Sequence, residues 1–465
     1  MNRSLRRLAA AMLAAFAIVA LTLGYWGLVR SESLLAREDN PRRILDEQRV
    51  RRGTIYDRNG RVLAETVVNP DTGLASREYV SPSVAPVVGY YSLRFGVGGV
   101  EAAQDDFLRG VGLLDARQEL VRDLLHEPPV GGDVRLTIDL DAQTTAARLL
   151  EGQAGAIVVL SVPEGEVLAL ASAPSFDPNE LSDRWDELIA DPDAPLLNRA
   201  TQGLYQPGEI LQSVILGAAL NSGSVSVDDE WFGPLSASVD NLILPCAGDS
   251  LGVETIGDAF IAACPAPFDR MATDLGEDRV LAALRDFGLL SAPALGIPTD
   301  AVTEEEVIAA DDPGRLAVGQ GGLTVSPLQM ALVAAAYADH GRMPPVQLIE
   351  ARRAPDGPWQ EVEASGNPRG TLSRASAEAM VELMGRAADE GVASAAAVGQ
   401  SRVYGHAGLA LSGPEATTNA WFIGFMRAGD GRAVAAAVLL ENSADVSRAS
   451  HIGGEVLRSA LNAIR

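Results

Sequence analysis

The most apolar stretch of the chain lies near its N-terminus, where Leu8 to Val29 form 22 consecutive positions without a charge. A helix needs about 20 apolar residues to cross a bilayer, so this length predicts one membrane-spanning helix. Arg3, Arg6 and Arg7 precede it, and basic flanks stay in the cytoplasm. We expect a single-pass plasma-membrane protein whose bulk is extracytoplasmic. A cleaved signal peptide is the alternative, although signal cores are usually only about 7–15 residues long.

Apolar segments further along the chain predict a buried sheet. Runs this continuous are typical of strands that are covered on both faces. A final segment, Ile452 to Ile464, has the pattern of an amphipathic helix, and a long, mostly helical stretch separates the strand groups. We therefore predict an α+β fold with a central, mostly antiparallel sheet covered by helices, plus a helical lobe. The predicted strands are Gly155–Leu160, Glu166–Ala171, Asn419–Met426 and Ala433–Leu440.

A hairpin is predicted between Arg52 and Ala64. Asn59-Gly60 lies at its centre, and this dipeptide favours a tight turn because both residues tolerate a positive φ.

Charge and composition exclude several functions. The net charge is −25, which disfavours binding to the phosphate backbone of nucleic acids. All 37 basic residues are arginine, so chemistry that depends on a lysine base or a Schiff base has no residue to perform it. Only two cysteines and four scattered histidines occur, and we expect neither a metal site nor a cofactor. Cys246 and Cys264 form either a disulfide, as suits an exported domain, or a pair of buried thiols.

Several short motifs occur in a characteristic order between residues 52 and 330, and together they resemble class B penicillin-binding proteins, the bitopic D,D-transpeptidases of peptidoglycan synthesis. The resemblance implies a cytoplasmic tip and transmembrane anchor (1–30), a pedestal or dimerisation-like module (31–135) and a transpeptidase-like domain (136–465). The motifs are Arg52–Gly60, Gly96–Glu101, Leu108–Gly110, Thr137–Asp139 with Gln143, Ser172–Asn179, Asn198–Ala200, Tyr205–Gly208, Gly319–Gly321 and Ser326–Met330.

The three catalytic motifs of that family are all degenerate here. The family places a Ser-x-x-Lys pair at the start of a helix, so that nucleophile and base share one face. In this chain Glu209 and Gln212 stand at those two positions. The Ser-x-Asn motif is replaced by Ala263-Cys264-Pro265, and the Lys-Thr-Gly motif by His406-Ala407-Gly408. Losing one member of such a catalytic unit costs about 10⁴–10⁶ in rate. We therefore predict an inactive pseudo-transpeptidase.

Two other functions remain as alternatives. One is an enzyme with altered chemistry, in which Glu209 and His406 form an acid–base dyad or Cys264 acts as a nucleophile. The simpler interpretation of the first pair is a structural hydrogen bond between Glu209 and His406. The other alternative is a module that binds a ligand, such as a peptidoglycan stem peptide, without converting it.

The resemblance also implies partners. In this family the anchor and pedestal contact a polytopic glycan polymerase and other proteins of the elongation or division machinery. Because the pedestal motifs are kept while the catalytic ones are lost, we expect a scaffold or regulator of cell-wall synthesis.

Overall fold

The computed structural model describes residues 3–25, 47–125, 127–239, 242–310, 315–316, 318–412 and 417–464. Helix α1 (Arg3–Gly24) comes first. The elements that follow, up to the end of the first module, are β1 (Ile55–Tyr56), β2 (Val62–Val68), β3 (Ala75–Tyr79), α2 (Ala85–Val88), β4 (Tyr90–Ser92), β5 (Gly96–Gly98), α3 (Gly99–Ala103), α4 (Asp105–Arg109), α5 (Ala116–Leu125) and β6 (Asp133–Leu136).

The remaining elements belong to the second, larger module. They are α6 (Leu140–Leu149), β7 (Gly155–Val162), β8 (Val167–Ala173), α7 (Leu181–Ala190), α8 (Gln212–Ser222), β9 (Ala237–Val239), β10 (Leu242–Leu244), α9 (Ile256–Ile261), α10 (Ala266–Leu275), α11 (Glu277–Asp286), α12 (Glu304–Ala310), α13 (Pro327–Ala338), β11 (Arg342–Met343), β12 (Ile349–Arg353), β13 (Gln360–Glu361), β14 (Arg369–Gly370), α14 (Arg374–Asp389), β15 (Val403–Ser412), β16 (Thr417–Arg427), β17 (Ala433–Leu440) and α15 (Val446–Ala463).

Helix α1 covers most of the predicted membrane span. Its segment Arg6–Leu23 is long and apolar enough to cross a bilayer, with a mean hydropathy of 1.8, and its side chains are exposed. The predicted stretch extends to Val29, and its last four residues lie outside the part of the chain that the structure describes.

The predicted hairpin is confirmed, and an aspartate organises its turn. Ile55 pairs with Ala64 in antiparallel strands β1 and β2. The buried carboxylate of Asp57 accepts hydrogen bonds from the backbone N–H groups of Asn59 and Arg61, both at 2.8 Å. The turn is therefore longer than a two-residue Asn-Gly turn, since the side chain of Asp57 supplies the acceptor that closes it.

This hairpin belongs to a six-stranded sheet with the order β13-β12-β6-β1-β2-β3. Strand β1 runs parallel to β6, and β6 pairs antiparallel with β12. Strands β12 and β13 lie more than 200 residues after β6 in the chain. The predicted boundary at residue 135 therefore divides the sequence at a point where the sheet itself is continuous.

The central sheet confirms the predicted strands. It is antiparallel throughout, in the order β15-β16-β17-β7-β8, and β7 and β17 are buried along their whole length. Alternate residues face opposite sides: Val158 and Leu160 pack with α13, whereas Ile157 and Val159 pack with α15 and α6. Such two-sided burial explains why these strands are almost purely apolar.

The closing helix α15 begins at Val446, six residues before the predicted start. Asp445 precedes it, and its carboxylate accepts the backbone N–H of Arg448. This N-cap satisfies a backbone donor that has no partner within the helix, so the helix extends back to that point.

Motif amides join the two modules. The Gln143 side chain donates hydrogen bonds to the carbonyls of Ser83 and Leu170. It also accepts the N–H of Leu170, and so pairs with both backbone groups of that residue in β8. Asn179 pairs with both backbone groups of Tyr79 in β3, and Asn198 donates to the Pro86 carbonyl at 2.7 Å. Because each of these amides satisfies backbone groups of another segment, they are structural, which accounts for the motifs that contain them.

Candidate functional site

Residue 209 lies on a short 3₁₀ helix, Gly208–Leu211, that packs against strand β15. Gly208 adopts a positive φ of 57°, and its N–H donates to the Gly319 carbonyl at 2.8 Å. A Cβ atom at this position would lie 2.1 Å from the carbonyl oxygen of Leu409. A glycine is therefore required here by both the backbone angle and the close approach. This packing holds residue 209 against the strand.

The carboxyl group of Glu209 takes the nearest backbone donor of that strand. Its Oε2 atom accepts the N–H of Leu409 at 2.8 Å, and its Oε1 atom has no hydrogen-bond partner. Burial raises the pKa of Glu209 well above its ordinary value, and the Leu409 N–H lowers it only in part. This environment favours the protonated form of the carboxyl group, because burial removes its hydration and its one hydrogen bond offsets that loss only in part.

The position expected to hold the base is equally closed. Gln212 begins α8 and is fully buried. Neither its Oε1 nor its Nε2 atom has a hydrogen-bond partner. An amide has no basic lone pair that could accept a proton from a neighbouring hydroxyl near neutral pH. The two positions that the resemblance assigns to the nucleophile and the base are thus held by a buried carboxyl side chain and a buried amide side chain.

The second motif contains a disulfide. Cys264 is bonded to Cys246, so it carries no thiol, and the nucleophile suggested as an alternative is absent from this structure. Ala263 is buried with a φ of 50°, and Pro265 precedes helix α10. None of these three side chains offers a hydroxyl or an amide for proton relay.

His406, in the third motif, is a buried aromatic ring rather than a cation. It stacks on Phe260 with centroids 4.1 Å apart and planes inclined by 13°, and neither ring nitrogen has a hydrogen-bond partner. Burial lowers the pKa of His406 to about 3; the backbone carbonyl of Glu209 opposes this shift but does not reach hydrogen-bonding geometry. The imidazole is therefore neutral near pH 7 and cannot bind a substrate carboxylate as a lysine would.

The expected hydrogen bond between Glu209 and His406 is absent, which corrects the dyad hypothesis and its simpler structural form. The carboxyl group bonds to Leu409 instead, because the backbone donor lies directly opposite it on β15. A Cβ added to Gly408 would lie 2.6 Å from the Cβ of Glu209. Gly408 is thus required by the approach of the 3₁₀ helix, whereas the neighbouring Ala407 is simply buried.

All the motif positions are closed to solvent. Glu209, Gln212, Ala263 and His406 each have no exposed surface. Three cavities among the described residues lie elsewhere, and one of them, of about 720 Å³, is lined by residues such as Ser83 and Arg148. Within the described chain, no group of three or more His, Cys, Asp or Glu side chains is placed to hold a metal.

Two contributors to the site were missed by the sequence analysis. Phe260 covers the face of the His406 imidazole. The sequence marks it only by its position, four residues before Cys264 in the second motif. The Leu409 N–H receives the carboxyl group, and a backbone donor leaves no mark on the sequence beyond its place after Gly408.

The pedestal motifs form a buried ionic network. Arg52, the first residue of one motif, pairs with Glu101, the last residue of the other, at 2.7 Å. Arg77 pairs with the second oxygen of Glu101 at 2.6 Å, and Arg52 also reaches Asp105. The side chains of Arg52, Arg77 and Glu101 are almost completely buried. These motifs are therefore explained by the folding of the pedestal.

Known families match both modules. The penicillin-binding protein transpeptidase domain matches residues 155–462, and the penicillin-binding protein A dimerisation domain matches residues 52–134. Peptidoglycan D,D-transpeptidase PbpA of Mycolicibacterium smegmatis is 30% identical over 480 residues, which cover 98% of this chain and 96% of the relative. PbpA of Mycobacterium tuberculosis is also 30% identical, over 481 residues and with the same coverage.

Solved structures agree. An imipenem acyl-enzyme of penicillin-binding protein A from M. tuberculosis superposes with a TM-score of 0.80 and 27% identity, and the match covers 90% of this chain and 100% of that one. A D,D-transpeptidase domain from Eggerthella lenta gives a TM-score of 0.77 at 26% identity, over 90% of this chain and 99% of that one.

A dimerisation domain followed by a transpeptidase domain defines a class B penicillin-binding protein. The transpeptidase match alone spans more than half of the chain, and the PbpA relatives align with nearly all of it. This chain therefore belongs to the class B penicillin-binding protein family.

Proposed function

We propose that this protein is a non-catalytic member of its family, a membrane-anchored pseudo-transpeptidase that acts as a scaffold or regulator of peptidoglycan synthesis. The observation that carries the proposal is the hydrogen bond from the Leu409 N–H to the Glu209 carboxyl group. In acyl transfer, backbone donors beside the nucleophile stabilise the developing oxyanion. Here such a donor is already bound to the side chain that has replaced the nucleophile.

The remaining polar groups of the site reinforce this. Gln212 cannot act as a base, and His406, with its pKa lowered to about 3, supplies no positive charge. Restoring a serine at one position would leave the base, the relay and the cation missing. The groups of a catalytic unit act together, so a single restored member recovers little rate.

Covalent labelling tests the proposal. Full-length protein in detergent is incubated with a fluorescent penicillin and measured by intact mass, with penicillin-binding protein A of M. tuberculosis, solved as imipenem and other acyl-enzymes, as the positive control. We expect no adduct on the native chain and none on Glu209→Ser. A stoichiometric adduct on the native chain would refute inactivity, and an adduct on Glu209→Ser alone would show that the rest of the site is competent.

The alternative enzyme with altered chemistry has no support from the geometry, because Glu209 and His406 are buried and not bonded to each other, and Cys264 has no thiol. Its test is turnover of muropeptides by the native chain, compared with Glu209→Ala. Product that forms with the native chain and disappears in the variant would favour the enzyme. The ligand-binding alternative is tested by calorimetry with a peptidoglycan stem peptide.

The partner proposed for the scaffold is the polytopic glycan polymerase of the cell-wall machinery, contacted through α1 and the 31–135 pedestal, with the N-terminus in the cytoplasm. The ion network and the motif amides support this, because the described part of the pedestal keeps its buried polar contacts although the catalytic motifs are lost. Co-reconstitution in vesicles with the polymerase tests it. We expect glycan synthesis to change when the native chain is added, and to stay at its basal rate when the 31–135 segment comes from an unrelated pedestal.

A further inference from the structure

Helix α5 (Ala116–Leu125) carries an apolar surface that the rest of the described chain leaves open. The exposed fractions are 47% for Val121, 69% for Leu124 and 61% for Leu125. These positions, spaced by three and four residues, lie on one face of the helix. The helix start is well formed, because the Asp115 carboxylate accepts the N–H groups of Arg117 and Gln118. The exposed apolar face therefore belongs to a capped helix of 10 residues.

Two more exposed apolar side chains lie in the segments that precede and follow α5. Val111 is 57% exposed and Val130 is 48% exposed. They belong to adjoining turns, because the space for a Cβ on Gly110 is blocked by the Val130 carbonyl, 2.4 Å away. Together, Val111, Val130 and the face of α5 form what we call the apolar corner of the pedestal. An apolar patch of this kind on a folded domain marks a contact with a partner or with lipid.

The corner lies where the chain arrives from α1. The N–H of Arg51 donates to the Pro129 carbonyl at 2.9 Å, and the Gly131 N–H donates to the Arg51 carbonyl at 2.8 Å. Leu125 precedes Pro129 by only four residues, so the end of α5 lies within about 15 Å of this point. The 21 residues between Tyr25 and Glu47 reach at most about 75 Å, even if fully extended. A bilayer that holds α1 is therefore within range of the corner.

We propose that the apolar corner inserts into the surface of the lipid bilayer that holds α1, and so fixes the orientation of the pedestal relative to the membrane. The inference rests on the anchoring role given to α1 in the proposed function. A helix that lies in the interface buries its apolar side chains among the headgroups and upper acyl chains. Each fully buried Val or Leu side chain contributes roughly 1.5–3 kcal/mol. This weak insertion suffices when the same chain is already anchored, since tethering raises the effective concentration.

Charge favours a zwitterionic surface over an anionic one. Among the described side chains of α5, Arg117 and Arg122 are accompanied by Glu119, and Asp115 caps the helix. This mixed set gives no net positive field of the kind that draws a segment to anionic lipid. Insertion should therefore depend on apolar burial and respond little to salt, unlike binding through a polybasic segment.

Site-specific fluorescence in vesicles tests the proposal. Because both native cysteines are in a disulfide, the variants Leu124→Cys, Glu119→Cys and Leu23→Cys are each labelled at one new thiol with an environment-sensitive dye. Glu119 is the control because it lies on the opposite face of α5 from Val121 and Leu125. Full-length protein is reconstituted in phosphatidylcholine vesicles with and without spin-labelled lipid. At position 124 we expect blue-shifted emission, most of which is lost when spin-labelled lipid is present. We expect no lipid quenching at position 119, and quenching at position 23, which reports insertion of α1.

The outcomes separate the competing explanations. Quenching at position 23 without quenching at position 124 overturns the corner proposal while leaving the anchor intact, and no quenching at either position means that the anchor itself has failed. A second copy of the chain is the occupant if position 124 shows a blue shift in vesicles but no lipid quenching, and if the blue shift disappears in nanodiscs that hold one copy each. That result also overturns the proposal. Changing Val121 and Leu125 to serine should abolish the signal at position 124 without unfolding the protein, because both side chains are exposed.

Discussion

The carboxyl group of Glu209 and the backbone N–H of Leu409 form a hydrogen bond of 2.8 Å between the 3₁₀ helix and strand β15. Under the proposed function, this side chain occupies the backbone donor that an acyl group would need. Because the carboxyl group is buried with no cation beside it, its ionisation is coupled directly to the stability of the fold.

We expect Glu209→Gln to become more stable relative to the native protein as the pH rises. The pKa of Glu209 is raised in the folded state, so the unfolded chain loses this proton at a lower pH than the folded chain. The contribution of Glu209 to the unfolding free energy is therefore present at low pH and is lost as the pH rises through the folded-state pKa. Between the unfolded-state and folded-state pKa values of Glu209, the native protein loses about 1.4 kcal/mol of unfolding free energy per pH unit. Glutamine keeps the acceptor for Leu409 and never ionises. Denaturant unfolding from about pH 5 to about pH 8 should show a flatter profile for the variant.

The matched control is Glu363→Gln, because Glu363 is exposed; this variant should follow the native profile. A native profile that runs parallel to that of Glu209→Gln over the whole range would contradict a raised pKa for the Glu209 carboxyl group in the folded state.

We expect His406→Phe to stabilise the protein against unfolding at acid pH. Since the pKa of His406 is lowered to about 3 in the folded state, the unfolded chain takes up a proton below about pH 6.5 while the folded chain does not. Stability is therefore present at neutral pH and lost as the pH falls. Phenylalanine keeps the stack on Phe260 and removes two unpartnered ring nitrogens, each of which costs about 1–3 kcal/mol when buried without a hydrogen bond.

Thermal unfolding at about pH 4 and about pH 7 measures this effect. His451→Phe, at an exposed position on α15, serves as the control and should leave the difference between the two pH values unchanged. If His406→Phe lowers the melting temperature at both pH values, the ring nitrogens must have partners in solution.

The Cys246→Ser/Cys264→Ser variant is expected to lose about 3 kcal/mol of unfolding free energy, from the loop-closure entropy of a ring of about 18 residues. Urea unfolding measures the loss. A dithiol reductant should bring the native protein to the stability of the variant and leave the variant unaffected. Equal stability of the native and variant proteins would mean that the disulfide does not form.

Glu101→Gln is expected to cost about 3–5 kcal/mol, because Arg52 and Arg77 would then share a buried site without their carboxylate. Limited proteolysis should show cleavage within the pedestal. Glu187→Gln removes the fully exposed pair with Arg184 and should leave stability unchanged. An intact, fully stable Glu101→Gln protein would show that the network is dispensable.

Much of the central sheet could be predicted from the sequence, because strands buried on both faces, such as Gly155–Val162 and Ala433–Leu440, leave an unbroken apolar run. The return of Ile349–Arg353 to the pedestal sheet could not be predicted, since its pairing with Asp133–Leu136 depends on contacts across more than 200 residues. In the site, the sequence identified the altered positions Glu209 and His406. The partner of the Glu209 carboxyl group was not predictable, because it depends on which backbone donor of β15 faces it.

The amide bridges of Gln143, Asn179 and Asn198 have a mechanical consequence. Each joins a backbone group between Tyr79 and Pro86 of the first module to a side chain of the second. A hinge needs a line of few contacts, but these amides and the pairing of β6 with β12 cross the junction in two separate regions. A rotation of one module against the other would have to break these hydrogen bonds or the pairing of β6 with β12, so we expect the two modules to move as one rigid unit.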